Sequence, residues 1–137
     1  MAGKIRLEIV TPEKGVVDEA ADIVMAPGTL GEFGVLVHHT PFMTILKTGT
    51  VRFKDAEGRE RYVFVSGGFA EALPDRVTIL AESAERRREI DIDRARSALE
   101  RAKQRLAEEE DALDIDRARA AIERALNRIR LAESRSR

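Results

Sequence analysis

Apolar and polar residues alternate along the first 84 positions. Ile5, Leu7 and Ile9 are interleaved with Lys4, Arg6 and Glu8, and the same period of two recurs in residues 21–27, 50–55, 61–66 and 76–82. A period of two places one face of a segment in a core and the other in water, which predicts half-buried strands. Each stretch is followed by residues that break it: Thr11-Pro12, Pro27-Gly28, Asp55 to Gly58, Gly67-Gly68 and Pro74-Asp75. Asp55 to Gly58 is expected to close one hairpin and Pro74-Asp75 another, with Gly67-Gly68 a bulge or turn. Short strands this closely spaced predict a β-sandwich or flattened barrel.

From residue 85 the period changes. Apolar positions run Ile92, Ala95, Leu99, Ala102, Leu106, then Ile115, Ala118, Ile122, Ala125, Ile129, Ala132, in steps of three and four. Strong helix formers fill the remaining positions, so two helices are expected, folded back as an antiparallel hairpin. The word DIDRARSALERA at 91–102 returns as DIDRARAAIERA at 114–125. Read structurally, this is a helix start written twice, with Asp91 and Asp114 as expected N-caps. The acidic run between the helices suits the start of the second, where the macrodipole is positive. The seam alternates with alanine, so it buries little area, and the folded-back form is expected to be marginal. The expected organisation is all-β plus α, with a sandwich unit over 1–84 and a helical hairpin over 85–137.

Composition sharpens this division. All nine glycines and four prolines precede residue 85, while residues 85–137 carry more than half of the charged side chains. The net charge of −1 offers no bulk attraction for nucleic acid or acidic lipid, and nucleic acid is not expected as a partner. With no cysteine there is no disulfide or thiolate site. No stretch approaches the ~18 apolar residues of a membrane span, and a soluble, intracellular protein is expected.

Catalytic chemistry is sparse. His38 and His39 are adjacent, so on a strand they face opposite ways and make a poor metal pair. Ser66 lacks the spacing of a nucleophile elbow, and Gly67-Gly68 lacks the Lys-Ser/Thr that follows a phosphate-binding loop. No enzyme and no metal site are expected. The arginines are more suggestive. Arg94 and Arg101 are seven apart, Arg124 and Arg128 four apart. In a hairpin turning near residue 112, Arg94 lies across from about Arg128, and Arg101 from about Arg124. Either four guanidiniums converge on an anion, or each pairs locally, as Arg94 with Asp91, or stays solvated; spacing alone favours the second.

Several segments resemble the epsilon-subunit family of the bacterial F-type ATP synthase: GEFGVLVHHTPFMTILKTG at 31–49, YVFVSGGFAEALPDRVTILAESAE at 62–85, IDIDRARSALERA at 90–102 and ERALNRIRLAE at 123–133. The resemblance spans essentially the whole chain. It implies a ten-stranded β-sandwich followed by two antiparallel helices, and a non-catalytic rotor subunit of the central stalk. Its implied partners are the gamma subunit, the c-ring and the catalytic beta subunits, at the cytoplasmic face of the bacterial inner membrane, peripherally. The helices would fold against the sandwich or extend along gamma, the extended form inhibiting ATP hydrolysis. No cofactor is implied as a requirement. ATP is implied as a regulatory ligand of the folded hairpin, held by Glu85, Asp91, Arg94, Ala95, Arg101, Arg124 and Arg128. The second copy of the motif, Leu113 to Ala118, carries no implied ligand role. Glu32 and His39 are implied to touch the c-ring, although the family's Pro-Gly-His is Val37-His38-His39 here. The competing expectation, from another class, is a free-standing adaptor or nucleotide-sensing module with a helical docking arm.

Overall fold

The computed structural model describes residues 3–134. Seven strands precede the helices: β1 (Ile5–Val10), β2 (Gly15–Gly28), β3 (Gly31–Val35), β4 (Phe42–Asp55), β5 (Glu60–Leu73), β6 (Arg76–Leu80) and β7 (Ala84–Arg86). β1 pairs in parallel with β6 and antiparallel with β2, so the path β1-β6-β5-β4-β2 closes on itself as a five-stranded barrel. β3 is added to β2, and β7 to β5. Closure removes the open edges that would otherwise template aggregation. The core is filled by the alternate residues anticipated above: Ile5, Leu7, Ile9, Val51, Phe53, Val63, Val65, Val77 and Ile79 are at most 1% exposed. Each such side chain stabilises the fold by roughly 1.5–3 kcal/mol relative to exposure.

The strand count differs from the ten implied by resemblance. The barrel is nevertheless the expected sheet architecture, because three strands are 14 residues long and each serves two neighbourhoods. β2 pairs with β1 up to Ala21 and with β4 from there on, across register irregularities. β5 is flanked by β7 at Val63–Val65 and by β6 at Phe69–Leu73. The exchange falls at Gly67-Gly68, with φ of 80° and 114°. A Cβ on Gly68 would sit 2.0 Å from the Leu80 carbonyl oxygen, so only glycine permits this approach. The pair is a kink inside a strand, the bulge alternative of the sequence reading.

Both expected hairpins form. At the β4–β5 turn, Asp55 Oδ1 accepts from the backbone N–H of Glu57 and Arg59, each at 2.9 Å, and Oδ2 accepts from Arg61 Nε at 3.0 Å. These contacts, the Arg59 N–H foremost and against the opposing effect of burial, hold the Asp55 carboxyl below its ordinary range. Leu73 pairs with Arg76 across Pro74-Asp75.

A 3₁₀ turn at Arg87–Glu89 leads into α1 (Ile92–Glu108) and α2 (Ala112–Glu133). Asp91 caps α1 as expected, accepting from the Arg94 N–H at 3.0 Å. The second cap is Asp111, not Asp114: its Oδ1 accepts from the Leu113 and Asp114 N–H groups. The acidic run disfavours the C-terminus of α1, so that helix stops at Glu108, and Asp111 is the last residue of the short link. Asp114 falls inside the first turn and pairs with Arg117. The seam buries Ala95, Leu99 and Ala102 of α1 with Ala118 and Ala125 of α2, as its spacing predicts.

Candidate functional site

The helical hairpin meets the sandwich through α2, which packs against β4 and β5, while α1 packs on α2. The sequence of β5 explains the landing place. Val63, Phe64, Val65 and Ser66 are buried in succession, whereas a strand with one wet face would alternate. Val63 and Val65 belong to the barrel core; Phe64 lies outside that cluster, beneath the Arg128 guanidinium of α2. The unbroken apolar run Tyr62 to Val65 was the available signal that this strand is covered on both faces, and the period-two reading passed over it.

Arg128 is the polar centre of the contact. Its guanidinium carbon stands 4.3 Å above the Phe64 ring centroid. Its Nε donates to Glu85 Oε1 at 2.5 Å, and an Nη donates to the Ser83 hydroxyl at 3.4 Å. Glu85 sits on β7, so a single side chain ties α2 to β5 and to the last strand. Ser83 is held in turn by Ser66: its N–H donates to Ser66 Oγ at 3.0 Å and the two hydroxyls are 2.6 Å apart. Ser66 is therefore part of the scaffold of this contact. Two further pairs close the free end of the hairpin, Arg96 with Glu133 at 3.0 Å and Arg87 with the Ser134 hydroxyl at 3.3 Å.

The residues implied by resemblance to hold ATP are distributed around this contact. Glu85 and Arg128 are brought together. Asp91 is committed to capping α1, Ala95 is buried in the seam, and Arg94 and Arg101 are exposed on α1. Arg124 is half-buried, one turn before Arg128. Among the described residues the Arg94, Arg101 and Arg124 side chains make no ion pair, which leaves three guanidiniums uncommitted. Arg128 is shared already with a carboxylate.

Glu32 lies on β3 and His39 on the loop that joins β3 to β4, and Glu32 also borders the space between β4 and α2. Glu32, on β3, pairs with Arg52 Nη2 of β4 at 2.9 Å. His39 Nδ1 donates to the Thr40 carbonyl at 2.6 Å, its Nε2 is buried without a partner, and its ring stands edge-on to Phe42. His38 adopts φ 67°, the left-handed region where the family pattern has glycine. Around this loop Leu30, Leu36, Met43 and Ile45 are at least 58% exposed. Such a concentration of exposed apolar side chains marks a partner surface. Among the described residues no group of three or more His, Cys, Asp or Glu is placed to hold a metal, and no helix is long and apolar enough to cross a membrane.

Two family models match in tandem: the beta-sandwich domain of the ATP synthase delta/epsilon chain over residues 4–87, and its long alpha-helix domain over residues 88–133. The chain is 66% identical over 135 residues to an ATP synthase epsilon chain of Desulfatibacillum aliphaticivorans, covering 98% of this chain and 96% of the relative. It is 61% identical over 106 residues to the epsilon chain of Desulfosudis oleivorans, covering 77% and 80%. Among solved structures, a chain of the Euglena gracilis mitochondrial ATP synthase, in an assembly with F1 and c-ring, superposes with a TM-score of 0.76 at 25% identity, covering 90% of this chain and 78% of that one. A chain of the Tetrahymena thermophila mitochondrial ATP synthase central stalk and c-ring shares the fold, with a TM-score of 0.66 at 12% identity over 96% of this chain and 98% of that one.

Proposed function

The chain belongs to the ATP synthase delta/epsilon family, as an epsilon chain, and from that premise we propose that it is a non-catalytic rotor subunit of the central stalk whose hairpin regulates ATP hydrolysis. The expected boundary after residue 84 falls inside β7, so the sheet continues to Arg86; in this reading the sandwich docks on gamma and on the polar loops of the c-ring, and the helical hairpin that follows is a movable arm. The exposed apolar loop end with Glu32 and His39 is the surface offered to the rotor. The protein sits peripherally at the cytoplasmic face of the inner membrane, through the complex. The arm leaves the sandwich, extends along gamma towards the beta subunits, and blocks hydrolysis.

The observation that carries the regulatory part is the nature of the contact beneath α2. Its polar links are few, chiefly the partly exposed Arg128 and the hydrogen bond from Arg87 to Ser134, and the helix seam is built largely of alanine, so opening the hairpin breaks few polar contacts while uncovering Phe64. ATP would bias the equilibrium towards the folded form by recruiting Arg94, Arg101 and Arg124 beside Arg128, since a ligand shifts a two-state element only by its differential affinity. Reconstitution of the catalytic head with gamma and this chain tests the rotor reading. Removal of residues 88–137 should relieve inhibition while gamma binding persists; unchanged hydrolysis together with loss of gamma capture would sink it. Calorimetry with magnesium-free ATP tests the ligand reading: Arg94→Ala or Arg124→Ala should weaken binding strongly, and unaltered affinity would exclude the pocket.

A further inference from the structure

α2 has a second edge, on the side away from Arg128. Here it faces β4 across a cleft of about 530 Å³. Arg119, Ile122, Leu126 and Arg130 recur at steps of three and four and form the helical wall. Arg124 and Arg128 are each two residues from Leu126, roughly half a helical turn around the axis, so they belong to the other face. Lys47 of β4 stands in the opposite wall.

The charge in this cleft is unbalanced. Among the described residues Lys47, Arg119 and Arg130 make no ion pair. Glu32 at the margin is already neutralised by Arg52 at 2.9 Å, which leaves Glu123 as the one uncommitted carboxylate lining the cleft. Lys47, Arg119 and Arg130 line one space from two separately folded elements against a single free carboxylate, and this excess of positive charge favours an anion there. Arg119 and Arg130 are eleven residues apart, roughly 16 Å along the helix, so the complementary anion is elongated rather than a single phosphate. Ile122 and Leu126 supply an apolar floor between them.

We propose that this cleft binds an extended polyphosphate, inorganic or the tail of a nucleotide, and that the bound anion bridges α2 to β4. The site is separate from the arginines around Arg128 and does not depend on them. Binding draws helix and sheet together, so it favours the docked hairpin.

The full chain is titrated by calorimetry with inorganic triphosphate, and with magnesium-free ATP, at fixed ionic strength. The expected result is saturable triphosphate binding of which one site per chain belongs to this cleft. The double variant Lys47→Gln/Arg119→Gln should weaken triphosphate binding at least about tenfold. The same titration in the Arg94→Ala/Arg124→Ala background, where the ATP pocket proposed above is silenced, should retain a saturable triphosphate site, which separates the two sites. Lys47→Arg, which keeps the charge, should retain binding. All these positions are exposed or half-buried, so the variants are expected to fold. Absence of saturable triphosphate binding overturns the proposal, as does an affinity insensitive to the double variant. A loss reproduced by Arg124→Ala alone would assign the anion to the other face of α2 and overturn it equally.

Discussion

Replacing Arg128 by alanine should release α2 from the sandwich without unfolding the barrel. The side chains of Arg128 and Glu85 are 25% and 33% exposed, so their pair belongs with solvent-screened ion pairs, worth about 0.2–1 kcal/mol. The guanidinium over Phe64 adds about 0.5–1 kcal/mol. Together the loss is about 1–2 kcal/mol, which corresponds to roughly a 5- to 30-fold rise in the population of the open hairpin. Native-state amide exchange on the full chain reads this directly, because opening of the hairpin is a smaller event than global unfolding. Amides of α2 should exchange faster by that factor, while those of Val51 and Val63 in the barrel core should not change. Glu85→Gln should give part of the effect. Arg128→Lys should fall between wild type and alanine, since it keeps the charge but not the planar face over Phe64. An unchanged rate in α2, or an equal acceleration in the strands, would refute the view that this side chain clasps a semi-independent arm.

Other outcomes follow from the same geometry. Gly68→Ala should destabilise the barrel by at least about 3 kcal/mol, seen as a lower denaturant midpoint, because its Cβ would collide with the Leu80 carbonyl at a positive φ; a loss under 1 kcal/mol would show that β5 and β6 can part there. His38→Gly should raise stability by about 0.5–1 kcal/mol by relieving a left-handed histidine, and a neutral result would mean that the loop relaxes. The folded-state pKa of Asp55 is lowered from 3.8, so its contribution is fully present above that value and is lost as pH falls through the depressed one. Asp55→Asn should therefore flatten the acid limb of a stability–pH profile below about pH 4, and an identical limb in both proteins would remove the carboxylate from the account.

Much of this architecture is legible in the sequence because it is local. A period of two names the buried face of β1, β4 and β6, Asp55 to Gly58 supplies its own turn bonds, and steps of three and four name the seam through Ala95, Leu99, Ala118 and Ala125. Asp111 is legible too, as an aspartate that ends an acidic link just before a helical stretch, although the repeated word points to Asp114.

What covers a buried face is a different matter. Periodicity shows that a side chain leaves water but not which element removes it, because that choice depends on contacts between residues far apart in the chain. Only the folded chain decides that β1 lies parallel to β6 and closes the barrel, and that β2 and β5 change neighbours along their length. Only it decides that α2 rather than α1 meets the sheet. The fate of the arginines is of the same kind. Helical spacing puts Arg124 and Arg128 on one face, but Phe64 and Glu85, 64 and 43 positions away from Arg128, meet that face solely because the sandwich places them under it.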